Sequence, residues 1–547
     1  MSRSVFKKMM ILTLTAAFGL GAAACTRTGI DPNRTQLYVG IYNGGWGREW
    51  LDSAVEKFEE KFPEYEIVVT PKKDDYEYDA LTNTITSDFN DMYITACSYH
   101  AYIDDNKILD ISDQLTMDMA DVGEPGKTVH DKLLAEYKDF YNLGTEEAPQ
   151  YYAVPFGSSV WGLNYDVDLF EEAGLYISSS DGSGSNIVWT NGKQGSPAKS
   201  AGRDGEIGTY DDGTPVTWAE FQALLRRMKM NNITPFTWSA VTGYVNYIMM
   251  SLWADAEGKD NFDLLKTLEG SFTDYQGNTV NLTSETGYNI NLMKGKQYAL
   301  QFIQEVASEG NYSSVAGALS FTEAQSNYIE SKYIAAEQGG INKRVAFLFD
   351  GGHWYNETKA YIEQTNQTLY SEEYGQRGRR FSVMPFPQFD DSRQDRATYL
   401  ESSHEFSIFV NAQTSRADLA GLFIRFLCTD EILRESTVIS GLKRACEYEL
   451  SEEEIARMPY YYGEVYKLMS SDKVDLVSFR MDHPIYVQNP SLQNMEWVWS
   501  GSFVNNKGTL TSLSVPVSDF VAYKSSGLTV EKYMQGTIDS YKNYFEV

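Results

Sequence analysis

An α/β fold is predicted on two observations. Alternating, β-rich runs exchange with amphipathic helical runs along most of the chain. At 547 residues the chain also exceeds one ordinary domain, so two or more lobes are expected. The alternation starts at Gln36–Tyr42 (QLYVGIY), a strand by its period of two, broken by Asn43-Gly44-Gly45-Trp46-Gly47. From Glu49 to Phe62 the apolar residues Trp50, Ala54, Val55 and Phe58 share one helical face, and Pro63 ends the helix. Glu66–Pro71 (EIVVTP) and Asp91–Ala96 (DMYITA) read as further strands.

Tyr152–Tyr165 is extended, apolar and interrupted by glycine, followed by a short helix over Asp166–Ala173 that Gly174 closes. Ser178–Asp212, rich in Gly, Ser, Asp and Asn, reads as a long surface insertion. Thr217 with Glu220 three residues on forms the pattern of a capping box and starts a helix over Trp218–Met230. Helical patterns fill Asn246–Gly310 and Thr322–Gln338. Val345–Asp350, Phe381–Pro385 and Phe406–Val410 are predicted strands, Ala417–Leu427 is an apolar helix, and the chain from Ser451 is mainly helical. There is no internal repeat.

The first 24 residues have the layout of a secretion leader: Arg3, Lys7 and Lys8, an apolar run from Met9 to Leu20, then Gly21-Ala22-Ala23-Ala24. The apolar run is shorter than the roughly 20 residues a spanning helix needs. Cys25 follows the small residues directly, the pattern of a bacterial lipobox, although Ala22 replaces the usual Leu. Residues 1–24 are therefore expected to be a lipoprotein signal peptide, Cys25 the lipidated residue, and 25–35 a polar tether to the membrane surface.

The net charge is −30, and it falls to −33 once the three leader cations are removed. Such a surface repels nucleic acid and anionic headgroups. Four cysteines do not make a disulfide framework for a chain this long. With Cys25 assigned to lipid, Cys97, Cys428 and Cys446 remain; Cys428 and Cys446 either pair or stay as buried thiols. The five histidines (His100, His130, His353, His404, His483) are scattered without metal-ligand spacing, so neither metal nor cofactor is expected.

Several segments together resemble the bacterial extracellular solute-binding proteins of family 1, the maltose-binding-protein-like capture components of ABC sugar importers. They are Asn43–Trp46 after the first strand, Ala153–Leu175 (AVPFGSSVWGLNYDVDLFEEAGL), Thr217–Trp238 (TWAEFQALLRRMKMNNITPFTW), Val345–Glu357 (VAFLFDGGHWYNE), FSVMPFP, and SIFVNAQTSRADLAGLFIRFLCTDE. Asn164-Tyr165-Asp166 stands where the family has Tyr-Asn-Lys, and Asn232 stands in place of a Gly. The resemblance runs from about Gln36 to the C-terminal region. It implies two α/β lobes joined by a hinge, with the ligand cleft between them. Lobe I is expected over 36–155 and 406–450, lobe II over 156–405 and 451–547. It further implies a monomeric binding protein, not an enzyme, outside the cytoplasm and working with ABC permease subunits. The carbohydrate ligand is expected to be an oligosaccharide.

A sugar offers an apolar C–H face and an edge of hydroxyls, so its site needs flat rings and convergent hydrogen-bonding groups. Trp46, among three glycines at a strand's C-terminal edge, is a candidate with Asn43 beside it. Ser158, Ser159 and Trp161 lie on the first hinge crossing that the resemblance implies, and Trp238 and Tyr244 on its cleft loop of lobe II. Asp350 and Trp354 flank Gly351-Gly352 at a strand end. Trp497 is the last candidate; it stands two residues from Trp499, so one of the pair is expected in the core. No catalytic residue is expected. A secreted glycoside hydrolase and a peptide or polyamine binder are the rival readings.

Overall fold

The computed structural model describes residues 30–72, 81, 84–95, 99, 102–103, 105–331, 344–390, 395–401, 406–479, 492 and 495–545. The leader, Cys25, Cys97, His100 and His404 lie outside the described residues. In chain order the first strands are β1 (Thr35–Tyr42), β2 (Tyr65–Lys72), β3 (Met92–Thr95), β4 (Val154–Pro155) and β5 (Val160–Asp166). Then come β6 (Tyr176–Ser179), β7 (Val188–Thr190), β8 (Thr234–Trp238), β9 (Gly270–Thr273), β10 (Thr279–Leu282) and β11 (Val345–Gly351). The last are β12 (Phe381–Met384), β13 (Ala397–Glu401), β14 (Ser407–Val410), β15 (Val474–Ser478), β16 (Gly501–Val504) and β17 (Leu510–Leu513).

Two central sheets define two lobes. The first has the order β2-β1-β3-β14-β4. β1 runs parallel to β2 and β3, while β14, which arrives late in the sequence, is antiparallel to β3 and β4. The second has the order β15-β13-β5-β11-β8, with β12 also paired to β5. Each sheet has its own apolar core. One is drawn from residues between Leu37 and Phe156 and between Phe406 and Cys446. The other two clusters lie between Val160 and Leu400 and from Leu450 onward.

The opening β1-helix-β2 unit shows why the pattern folds this way. The helix Glu49–Lys61 buries Trp50, Leu51, Ala54, Val55 and Phe58 on the sheet. Glu49 and Asp52 in its first turn and Lys61 in its last complement the helix dipole. In the second lobe, Thr217 accepts from the Glu220 N–H while the Glu220 carboxylate accepts from the Thr217 N–H, a complete capping box on helix Trp218–Met230. Helix Val167–Ala173 ends on Gly174 at φ +59, and the Gly174 carbonyl accepts from Arg227 Nε at 2.8 Å.

The Gly/Ser-rich segment 178–212 differs from a plain surface loop. β6 and β7 form a hairpin at its start, and its far end is packed inward. Asp211 is 0% exposed and accepts from the N–H groups of Arg203 and Asp204. Arg203 is tied to Asp255 at 2.6 Å, so a buried ion pair anchors the insertion to the lobe.

Candidate functional site

The site region is built where the chain passes between the lobes. Residues 156–159 join β4 of one sheet to β5 of the other. At that crossing Ser158 pairs with Lys443 of the return segment: the Ser158 N–H donates to the Lys443 carbonyl at 2.7 Å and the Lys443 N–H donates back at 3.1 Å. The Ser158 hydroxyl donates to Glu401 Oε2 at 2.5 Å, and the Tyr137 hydroxyl of the first lobe donates to the same oxygen at 3.4 Å. Glu401 is the last residue of β13, so one buried carboxylate draws on both lobes. Ser159 is buried against Gly352, where no Cβ would fit beside its hydroxyl.

The glycine turn after β1 faces the first turn of helix Trp354–Thr368 across the lobe boundary. Asn356 Nδ2 donates to the Gly45 carbonyl at 3.2 Å, and the Tyr462 hydroxyl donates to Asn356 Oδ1 at 2.9 Å. Lys359 pairs with Glu49 at 2.8 Å, again between lobes. A Cβ on Gly45 would stand 2.7 Å from His353 Cδ2 and 3.2 Å from Glu357 Oε1, so only glycine lets the two surfaces meet.

Behind this contact sits a carboxyl pair. Gln325 Nε2 donates to Asp350 Oδ2 at 3.0 Å and to Glu357 Oε2 at 2.8 Å, and the Gly351 N–H donates to Asp350 Oδ1 at 2.8 Å. Burial, and after it the Glu357 carboxylate, lifts the Asp350 carboxyl well above the usual carboxylate range. Its backbone carbonyl accepts from Asn164 Nδ2 at 2.7 Å, which fixes the end of β11 against β5.

An aromatic wall adjoins the pair. Trp161 on β5 stacks on Tyr247 with centroids 4.4 Å apart and rings 14° from parallel. Tyr244 meets it tilted at 5.5 Å and His353 edge-on at 5.3 Å. Trp161 is buried, whereas Tyr244, Tyr247 and His353 are half-buried. Tyr244 and Tyr247 stand three apart on helix Thr242–Glu257 and so share one face. That spacing was a usable signal for Tyr247, which sequence reasoning did not single out, nor did it Gln325, Asn356, Glu357 and Glu401.

Like Trp161, which is 3% exposed and part of the second lobe's apolar core, the other four predicted tryptophans are core residues. Trp46 is 4% exposed, stacked on Phe156 at 4.9 Å and packed edge-on against Phe406, so its indole turns into the first lobe. Trp354 is 0% exposed; its Nε1 donates to Asn164 Oδ1 at 3.1 Å and its ring meets Tyr328, Phe381 and Tyr461. Trp238 packs on Tyr312 and Phe349 inside the second lobe. Trp497 packs on Tyr541 and Phe545, and Trp499 is as deeply buried, so both of that pair are core. In each case the apolar ring area gains more from packing on neighbouring rings than from facing a wet cleft. Asn43 is exposed at the end of β1, its N–H donating to the Lys72 carbonyl at 2.9 Å.

The model of the bacterial extracellular solute-binding protein family matches residues 44–432. The chain belongs to this family. The solute-binding protein also shares its two-lobed fold with solved structures at low identity. RafE from Streptococcus pneumoniae, in its apo form, is 13% identical with a TM-score of 0.54, covering 95% of this chain and 99% of that one. RafE in complex with raffinose gives the same identity and score over 94% and 99%. A structure from Caldanaerobius polysaccharolyticus, reported in connection with xylan utilization, is 13% identical with a TM-score of 0.55 over 92% and 99%. A chitin oligosaccharide binding protein is 14% identical with a TM-score of 0.54 over 94% and 99%. No curated protein matched the sequence. Among the described residues of the solute-binding protein, no helix is long and apolar enough to cross a membrane.

Proposed function

We propose that this solute-binding protein captures a carbohydrate, an oligosaccharide rather than a monosaccharide, between its lobes and delivers it to an ABC importer. The observation that carries the reading is the wall of Trp161, Tyr244 and Tyr247 beside the buried carboxyls of Asp350 and Glu401 at the lobe boundary. Rings supply the surface for a sugar's C–H face, and carboxyl and amide groups accept and donate to its hydroxyls. On this reading Ser158 and Ser159 hold the crossing close, and the exposed Asn43 after β1 would add a hydrogen-bonding group from the first lobe. The raffinose and chitin-oligosaccharide titles of structurally similar proteins point to the same ligand class.

The lobes on this reading are 36–155 with 406–450 and 156–405 with 451–547. They close over the ligand, which stabilises the closed arrangement through contacts to both. Removal of residues 1–24 and lipidation of Cys25 would anchor a monomer to the outer face of the cell membrane. Labelling with a palmitate analogue, lost in Cys25→Ser, tests the anchor.

Calorimetric titration across raffinose, xylo-oligosaccharides, chitin oligosaccharides and spermidine tests the ligand class. The expected result is saturable binding of a glycan, weakened about tenfold or more in Tyr244→Ala and Tyr247→Ala. Glycan binding unchanged in both variants would place the site elsewhere. Binding of spermidine alone would overturn the carbohydrate reading.

A further inference from the structure

We propose that Cys428 and Cys446 are joined by a disulfide in the exported protein. Both side chains belong to the core of the first lobe as buried free thiols, at 1% and 4% exposure, and they lie close enough to act on each other directly. Their backbones are fixed by groups other than sulfur. Cys428 caps helix Ala417–Leu427, its N–H donating to the carbonyls of Ile424 at 3.2 Å and Arg425 at 3.1 Å. Cys446 forms a β-bridge with Leu133, flanked by Leu134 N–H to the Ala445 carbonyl at 3.1 Å and Glu447 N–H to the Lys132 carbonyl at 2.7 Å.

Two cations act on the pair. Lys132 and Arg444 both favour the thiolate at either cysteine. Arg444 is 2% exposed, with its guanidinium over Phe156 at 4.6 Å and Trp50 at 5.3 Å, and its Nε and Nη1 have no hydrogen-bond partner. The Cys446 thiol, as hydrogen-bond donor, draws the Cys428 thiol below its usual range, while Cys446 itself is pushed up. Either sulfur can attack first. Where Cys428 leads as the lobe folds, its thiolate attacks one sulfur of a low-molecular-weight disulfide and expels one thiolate. Cys446 then loses its proton and attacks the Cys428 sulfur of the mixed disulfide, expelling the second thiolate. The protein is oxidised by two electrons, the external disulfide is reduced to two thiols, and the two protein protons end on them.

An extracellular protein meets the oxidising conditions this requires. The bond would clasp the segment that holds helix Asp430–Ser440 and the Lys443–Ser158 pairing, and so would brace the crossing between lobes.

The test uses the full chain, exported and also refolded from denaturant with oxidised and reduced glutathione. The expected product is lighter by two hydrogens than the reduced chain and yields a Cys428–Cys446 linked peptide by mass spectrometry. Reductant should lower its Tm by about 5 °C. It should leave the Tm of the double variant Cys428→Ala/Cys446→Ala unchanged, which separates loss of the bond from loss of packing. Alkylation of both cysteines after non-reducing denaturation, in exported and refolded protein alike, would overturn the proposal. Stable glutathione adducts in place of the linked peptide would overturn it as well.

Discussion

The side-chain amide of Asn356 in the second lobe donates to the backbone carbonyl of Gly45 in the first at 3.2 Å, and Tyr462 holds that amide in place through Asn356 Oδ1. This is a direct bond between lobes, and Lys359–Glu49 lies alongside it. Such a bond holds the two lobes together and would be lost if they separated.

Asn356→Ala is therefore expected to remove about 1 kcal/mol from the closed arrangement and weaken ligand binding about fivefold. Gly45→Val should act more strongly, because its Cβ would stand 2.7 Å from His353 Cδ2. Calorimetric titration checks the affinity of both, and small-angle scattering of the ligand-free proteins should give a larger radius of gyration than wild type. An unchanged radius and affinity in Gly45→Val would show that this contact does not govern closure.

Asp350 sets a dependence on pH. Its folded carboxyl is raised above the ordinary value of 3.8, by burial first and by Glu357 second. A raised group contributes stability that is fully present below the unfolded value and is lost as pH rises through the folded one. Wild type should accordingly lose stability as pH climbs from about 4 toward that folded value. Asp350→Asn, neutral throughout, should show a flatter profile over the same window while keeping the acceptor for the Gly351 N–H. Urea denaturation at a series of pH values measures the difference; parallel profiles would contradict it.

Asp166 carries a structural prediction. It is 0% exposed and accepts from Arg344 Nη2 at 2.7 Å, Arg379 Nη2 at 2.6 Å and the Leu169 N–H at 3.0 Å. Asp166→Ala leaves two buried guanidinium groups without this carboxylate and uncaps helix Val167–Ala173. The expected loss is about 3–5 kcal/mol of stability, read by chemical denaturation. A loss below about 1 kcal/mol would mean that the remaining acceptors compensate.

Local elements were legible because their signals are local. The Thr217–Glu220 capping box, the helix Ala417–Leu427 and the β1-helix-β2 opening each follow from period and caps over a dozen residues. The site was legible only in part. Trp161 and Asp350 stand at the lobe boundary, but every predicted tryptophan, Trp161 included, is buried. A tryptophan among glycines looks the same in sequence whether its turn faces solvent or core. For Trp46 the deciding neighbours are Phe156 and Phe406, which reach it from two separate crossings of the chain.

By itself the sequence determined the α/β alternation, the strands of the first sheet, part of the second and several helices, and the family resemblance, because periodicity, caps and short segments act over neighbouring residues. Only the tertiary structure decided which rings line the boundary, that Asn356 meets Gly45, and that Cys428 lies against Cys446. Those pairings join residues far apart in the chain, and their free energy comes from shape and burial that exist only once both sheets have formed.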